Sequence, residues 1–294
     1  MTDHPTTTTR RRFLTITAGS AAVGLAGCLG GDSSGGADTE MDDEMTAEDG
    51  MTDDGMTSEG DMTEGDEMTE GDEMTTEDGD MMATPFVVTI ENVSSEGTIT
   101  TGDGDELAVP LSPGAYAVHG DMATAFAPES AASAGLESLA EDGAPGTLAD
   151  EWTSNEHVHK AGAFDTPEGA SGPAPLLPGE SYTFEFEAHA GERLSLATMF
   201  VQSNDLFYAF EPTGLPLFED ETPISGDVTD QLALWDAGTE NNQEPGAGPD
   251  QAPRQSGPNT GEDEMGTVKK ISEVDDVYQY PEVSDVIKVT LTQM

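Results

Sequence analysis

The sequence predicts an all-β protein: an antiparallel β-sandwich with one or two short helices, preceded by a disordered acidic linker. Short segments after residue 85 alternate apolar and polar residues with a period of two, which is typical of half-buried strands. Clusters of Gly, Pro, Asn and Asp separate these segments, as at residues 172–175. Residues 29–84, in contrast, contain no aromatic residue and no Lys or Arg, a composition that buries too little apolar surface to fold.

Five predicted strands carry the sandwich. They occupy residues 86–90, 182–186, 193–202, 227–235 and 287–291. Apolar and polar residues alternate in the first, second and last of these, whereas the strand at 193–202 is mostly apolar. A helical pattern fits residues 129–142, where Leu136 and Leu139 share a face, and a second fits residues 147–152. Many strands, few helices and turn-rich connections favour an antiparallel sandwich over residues 85–294.

The charge is extreme. The chain of 294 residues holds 60 Asp and Glu against 9 Lys and Arg, a formal net charge of −51. Residues 85–294 hold 38 of the acidic residues and only six basic ones, so the folded part is acidic as well as the linker. In molar salt the Debye length falls to about 3 Å, so repulsion between these carboxylates is largely screened. The composition therefore predicts a halophilic protein. Nucleic acid is excluded as a partner, because binding its phosphates needs clustered Lys and Arg.

Residues 1–28 predict a twin-arginine signal peptide that ends in a lipobox. Arg10, Arg11 and Arg12 precede a short apolar stretch that is too short to span a bilayer. The sequence Leu-Ala-Gly-Cys then ends at Cys28, the only cysteine of the chain. We therefore expect a lipid on Cys28 and a location on the outer face of the cell membrane, with two acyl chains if the anchoring is stable. The alternative is a soluble secreted protein in which Cys28 is incidental.

Residues 29–84 predict a spacer between that anchor and the domain. As a neutral coil, this segment spans roughly 40 Å, and repulsion between its acidic side chains extends it further. Its regularly spaced methionines allow a copper-binding alternative, since thioethers bind Cu(I). The disordered spacer remains the preferred interpretation, because no histidine accompanies them.

A candidate metal site follows from the order of the strands. If residues 194–201, 206–210 and 228–235 run up, down and up, the loops that follow the first and third strands meet at one end of the sandwich. Three carboxylates, Asp205, Asp236 and Glu240, then converge, with Gly238 allowing a tight turn between two of them. Oxygen ligands of this kind suit Ca²⁺. The competing interpretation is that acidic loop residues only make turns.

Several segments resemble the spondin N-terminal domain, which F-spondin and mindin share. They are SLATMFVQSND at 195–205, ISGDVT at 224–229, LWDAGTE at 234–240 and PGAGPDQAPRQ at 245–255. The resemblance implies a β-sandwich that binds one calcium ion and acts in adhesion or recognition rather than catalysis. It also implies that Asp205, Asp236 and Glu240 are the calcium ligands, with Glu240 in place of the usual Asp. Leu206 stands where many relatives have Trp.

The remaining histidines leave a second possibility open. His157 and His159 lie two residues apart, so they share one face of a strand and form a candidate chelate. A third ligand is not visible in the sequence, and His119 and His189 suggest no role.

The leading functional hypothesis is a non-enzymatic, calcium-binding module for adhesion or for recognition of an extracellular or cell-surface ligand. The alternatives are a secreted hydrolase that uses a metal or paired carboxylates, and a purely structural envelope protein.

Overall fold

The computed structural model describes residues 83–294, and within them most regular structure is β-strand in antiparallel sheets, with two α-helices. The predicted all-β fold class is therefore confirmed. The predicted signal peptide, the proposed lipid site at Cys28 and nearly all of the predicted linker lie outside the described residues. Within residues 83–294, neither helix has the length and apolar character needed to cross a membrane.

The strands are numbered here in chain order. They are β1 (Thr84–Asn92), β2 (Ile99–Thr100), β3 (Glu106–Leu107), β4 (Leu111–His119), β5 (Val158–Phe164), β6 (Ser181–Ala188), β7 (Arg193–Phe200), β8 (Leu206–Phe210), β9 (Leu215–Pro216), β10 (Phe218–Glu219), β11 (Thr222–Pro223), β12 (Gly226–Asp227), β13 (Leu232–Asp236), β14 (Lys269–Lys270) and β15 (Ile287–Gln293). The helices are α1 (Ala134–Asp142) and α2 (Gly146–Thr153), and short 3-10 turns occupy Thr229–Gln231, Ile271–Glu273 and Val283–Asp285.

Two sheets form the sandwich. One has four strands in the order β12-β15-β1-β6, and the other has the order β14-β13-β8-β7-β4-β5, with β9 added beside β7. Phe86, Val88 and Ile90 of β1 are fully buried between the sheets, while the residues between them are only partly buried. Aromatic rings fill the gap: the rings of Tyr116 and Phe184, one from each sheet, stack with their centroids 4.3 Å apart. Burial of these apolar faces is the main force that holds the two sheets together.

The two helices cover the outer face of the larger sheet. That face presents small residues on β4, β7 and β8, including Ala115, Ala197 and Ala209, which let the helices approach closely. Leu136 and Leu139 of α1 pack there, as the predicted shared face requires. The hydroxyl of Ser133 caps α1 by accepting a hydrogen bond from the backbone N–H of Leu136 (3.2 Å).

The predicted strand at 227–235 is wrong as a single element. Asp227 Oδ1 accepts hydrogen bonds from the backbone N–H and the hydroxyl of Thr229 (3.0 and 2.6 Å), which closes a turn inside the segment. On one side of this turn β12 pairs with β15 of the smaller sheet, and on the other β13 pairs with β8 of the larger sheet. The segment therefore crosses the sandwich from one sheet to the other.

Candidate metal site

The candidate site lies at the end of the larger sheet where β7 stops and β8 begins. β8 and β13 are antiparallel, with Leu206 paired to Asp236. Asp205, the residue before β8, therefore lies beside the last residue of β13, as the strand order predicts. Loop residues 237–240 continue from β13, and a later segment around residues 263–268 runs against them.

Three carboxylates meet there: oxygens of Asp205, Asp236 and Glu264 all lie within 4.8 Å of one another. Asp205 is 0 % exposed and Asp236 is 2 % exposed, whereas Glu264 lies on the exposed side of the cluster. We call these three residues the carboxylate cluster. Its first two members are predicted site residues, and Glu264 is one that sequence reasoning missed.

The structure does not bring the carboxylate of Glu240, the third predicted ligand, into this cluster. Its Oε2 accepts from Asn204 Nδ2 (3.1 Å) and its Oε1 accepts from the backbone N–H of Gly261 (2.7 Å). The reason is local: Glu240 pairs with Asp263 in an isolated bridge, and its longer side chain reaches the neighbouring loop instead. Its backbone N–H does serve the cluster, because it donates to Asp205 Oδ2 (3.1 Å).

The two oxygens of Asp205 have different surroundings. Oδ2 accepts hydrogen bonds from the backbone N–H and hydroxyl of Thr239 (2.8 and 3.2 Å), in addition to the one from Glu240. Oδ1 is buried and has no hydrogen-bond partner among the described residues, and the same holds for Oδ1 of the adjacent Asn204. A buried oxygen without a partner costs free energy, so a water molecule or a bound ion is the expected partner of these two atoms.

Gly238 allows the turn that brings the cluster together. Its φ is +69°, and a Cβ built there would lie 2.5 Å from the backbone nitrogen of Thr267. Its N–H donates to Asp236 Oδ1 (2.6 Å), and its carbonyl accepts from the N–H of Gly266 (2.7 Å). The turn therefore ties the loop after β13 to the segment that carries Glu264, and only glycine fits it without strain.

The electrostatics of the cluster favour a cation. Burial, and then the neighbouring charge of Asp236, raise the pKa of Asp205 well above its ordinary value. Burial also raises the pKa of Asp236, against hydrogen bonds from Asn242 and Gly238 that lower it. Burial and the charge of Asp236 likewise raise the pKa of Glu264. Each raised pKa reflects the free-energy cost of a negative charge that is shielded from water and lies near other carboxylates. A bound cation would lower that cost.

A further carboxylate stands close by. The charge of Asp276 contributes to the raised pKa of Asp236. Asp276 Oδ2 accepts from the hydroxyl of Tyr280 (2.6 Å), and the charges of Asp276, Asp236 and Asp205 all help to raise the pKa of that phenol, after burial and the hydrogen bond. Asp276 and Tyr280 therefore border the cluster, and no sequence signal marked them.

The loop at 245–255, one of the segments that carries the resemblance, is held by buried polar side chains. Gln251 is fully buried, and its Oε1 accepts from the N–H of Gly246 (3.1 Å) and from Arg254 Nη2 (2.5 Å). Arg254 Nη2 also donates to Gln202 Oε1 (3.2 Å). Gln202 lies in the loop between β7 and β8, the loop that carries Asp205. These contacts fix one side of the loop that carries Asp205.

A scan of the sequence against models of known protein families found no match, and a search of curated proteins found none either. What the chain does is therefore inferred from its own residues.

Proposed function

We propose that this chain is exported by the twin-arginine route and anchored by a lipid on Cys28 to the outer face of the cell membrane. Its residues 85–294 then act as a calcium-binding domain of the spondin N-terminal type, which recognises an extracellular or cell-surface ligand without catalysing a reaction. The acidic composition of both the linker and the domain supports a habitat of high salt, where repulsion between carboxylates is screened.

The observation that carries the calcium proposal is the unpartnered Oδ1 of the fully buried Asp205 beside two further carboxylates. Calcium binds oxygens at about 2.3–2.6 Å, so two ligands of one ion lie no more than roughly 5 Å apart. Separations within 4.8 Å meet that limit. Asp205, Asp236 and Glu264 would hold the ion, and backbone carbonyls or water would complete its six to eight ligands. The ion would supply charge neutralisation and stiffen the loops.

Burial favours binding over hydrolysis by paired carboxylates. Asp205 and Asp236 are almost wholly enclosed, so a glycan or peptide cannot reach both of them as a general acid and base would require. The buried pair formed by His119 and Ser195 is also poorly suited to nucleophilic attack. His119 Nε2 lies 2.8 Å from the hydroxyl oxygen of Ser195, but each side chain of the pair is only 1 % exposed, so a substrate cannot reach the hydroxyl.

The test is isothermal titration of chelator-stripped protein with calcium at fixed molar ionic strength, so that screening alone does not change during the titration. We expect one equivalent of calcium to bind, and Asp236→Asn to weaken the affinity at least about tenfold, or 1.4 kcal/mol. Asp263→Asn is the matched control, because it removes an exposed charge near the site but outside the cluster. Magnesium should bind poorly, since it prefers a smaller octahedral cage.

Two more variants separate the ligand sets. If the structure defines the site, Glu264→Gln weakens calcium binding more than Glu240→Gln does. If Glu240→Gln weakens calcium binding more than Glu264→Gln, the ligands are Asp205, Asp236 and Glu240, as the sequence predicts. Absence of saturable binding, or equal losses from Asp236→Asn and Asp263→Asn, would show that calcium only screens an acidic surface.

A further inference from the structure

A second group of ligand-type side chains lies at the opposite end of the sandwich. It consists of His159, His189 and Glu192, whose side chains are 44 %, 44 % and 16 % exposed. Glu192 Oε2 lies 3.4 Å from Nδ1 of His159 and 3.5 Å from Nδ1 of His189. We call these three residues the imidazole cluster.

Two of its members come from one tight turn between β6 and β7. The N–H of Glu192 donates to the carbonyl of His189 (3.1 Å), and Gly191 between them has a φ of +89°. Such a turn places the residues at its two ends side by side. Glu192 is fixed further, because its Oε2 accepts from the backbone N–H of His189 (2.7 Å). The carboxylate and one imidazole are therefore held together before any ligand arrives.

The third member comes from β5 through the register of the larger sheet. His119 at the end of β4 pairs with Val158 on one side and with Arg193 on the other. The first residues of β5 and of β7 therefore lie at the same end of the sheet, and His159 comes close to Glu192. The guanidinium of Arg193 points elsewhere, since its Nη2 donates to the carbonyl of Gly214 (2.9 Å) and its Nε to that of Thr213. It does not neutralise the neighbouring carboxylate.

We propose that the imidazole cluster binds one divalent transition-metal cation, with zinc as the representative ion. Ligands about 2.0–2.1 Å from a tetrahedral zinc lie roughly 3.3 Å from one another, close to the distances between Glu192 Oε2 and the two imidazole nitrogens. Two imidazoles and one carboxylate leave a fourth position for water, on the partly exposed side of the histidines.

This site is independent of the proposed calcium site. β7 separates the two, and its eight residues span about 26 Å at roughly 3.3 Å each. Their chemistry differs too, because nitrogen ligands favour zinc, nickel or copper, whereas an all-oxygen cluster favours calcium. Failure of calcium binding would leave the zinc proposal standing, and the converse also holds.

The experiment is a zinc titration of the chelator-stripped full chain, with saturating calcium present to occupy the carboxylate cluster. All proteins carry Cys28→Ser, so that the thiol does not compete for the metal. We expect one equivalent of zinc to bind, and His159→Gln and His189→Gln each to weaken the affinity at least about tenfold. His157→Gln is the matched control, because this histidine lies two residues from His159 but outside the cluster, and it should bind zinc as the parent does.

Cobalt provides a second readout. Cobalt(II) in a tetrahedral nitrogen and oxygen site absorbs visible light far more strongly than the hydrated ion, and His189→Gln should remove that band. The histidines are partly exposed, so both variants should keep the melting temperature of the parent in the absence of zinc. The proposal is overturned if zinc does not saturate, or if both cluster variants bind as the parent does. A loss with His157→Gln equal to that with His159→Gln, without a loss with His189→Gln, would overturn it too, and would support the chelate of His157 and His159 instead.

Discussion

Glu141 is a buried acid next to the candidate calcium site, and its ionisation makes the domain less stable as pH rises. It lies on α1 and is only 3 % exposed. Burial, with smaller contributions from the charges of Glu240, Glu137 and Asp142, raises its pKa from 4.5 to about 7, and the nearby side chain of Thr239 opposes that rise. The informative change is Glu141→Gln, which nearly keeps the shape of the side chain but removes the ionisation.

The sign follows from proton linkage. Between pH 4.5 and about 7 the folded state binds this proton more often than the unfolded state does, so the free energy of unfolding falls as pH rises through that window. Below the window Glu141 is protonated in both states and costs nothing. Above it the whole cost is present. A shift from 4.5 to about 7 corresponds to at most about 3–4 kcal/mol, and screening near the surface lowers this to roughly 1–3 kcal/mol.

Thermal and urea unfolding of calcium-free parent and variant at pH 4 and pH 8, in molar potassium chloride, would measure this difference. Calcium is left out because a cation bound nearby would itself lower the pKa of Glu141. Glu141→Gln should match the parent at pH 4 and be more stable by about 1–3 kcal/mol at pH 8. In melting temperature, each kcal/mol is worth about 2–4 °C for a domain of this size. Asp150→Asn is the control, because it removes one exposed charge from α2 and reports the general effect of lower net charge. A stability difference that does not change with pH, or one that Asp150→Asn reproduces, would refute the reasoning.

Two further predictions concern the turn and the anchor. Gly238→Ala should lower the free energy of unfolding by about 2–4 kcal/mol and weaken calcium binding, because its φ is positive and the new Cβ would meet the backbone of Thr267. Gly120→Ala is the control and should cost little, because nothing lies within 4 Å of the Cβ added there. Equal losses of the two variants in urea unfolding would contradict this account. Cys28→Ser should release the protein into the medium or leave it unprocessed, and a variant that still partitions with membranes in detergent would show that the lipid is not on Cys28.

Strands with one face toward water could be predicted from their alternating residues and β7 from its apolar run, whereas β4, which is also covered on both faces, could not. β1, β6 and β15 belong to the smaller sheet, whose outer face is covered by no helix of residues 83–294, and their apolar residues alternate with polar ones. β4 lies between the sandwich core and the helices and is buried along nearly its whole length. Its residues therefore show no period of two, and Pro113 and Gly114 add turn signals inside it.

The same distinction applies to the candidate sites. Asp205 comes directly before β8 and Asp236 is the last residue of β13. These two strands are neighbours in the sheet, so the proximity of the two residues follows from strand order alone. Glu264 reaches the cluster from a segment without regular structure, and its position depends on the hydrogen bond between Gly266 and Gly238. In the imidazole cluster, the spacing of His189 and Glu192 around a Gly turn is visible in the sequence, but the approach of His159 depends on sheet register.

Thr84 lies at the end of the sandwich that carries the imidazole cluster. Thr84, the first residue of β1, pairs with Ala188 at the end of β6, next to the turn that carries His189. Because β1 runs for nine residues, or roughly 30 Å, before the sandwich ends, the carboxylate cluster lies at the far end from the point where the chain enters. The residues that precede Thr84 therefore join the domain beside the imidazole cluster, about the length of β1 away from the carboxylate loops.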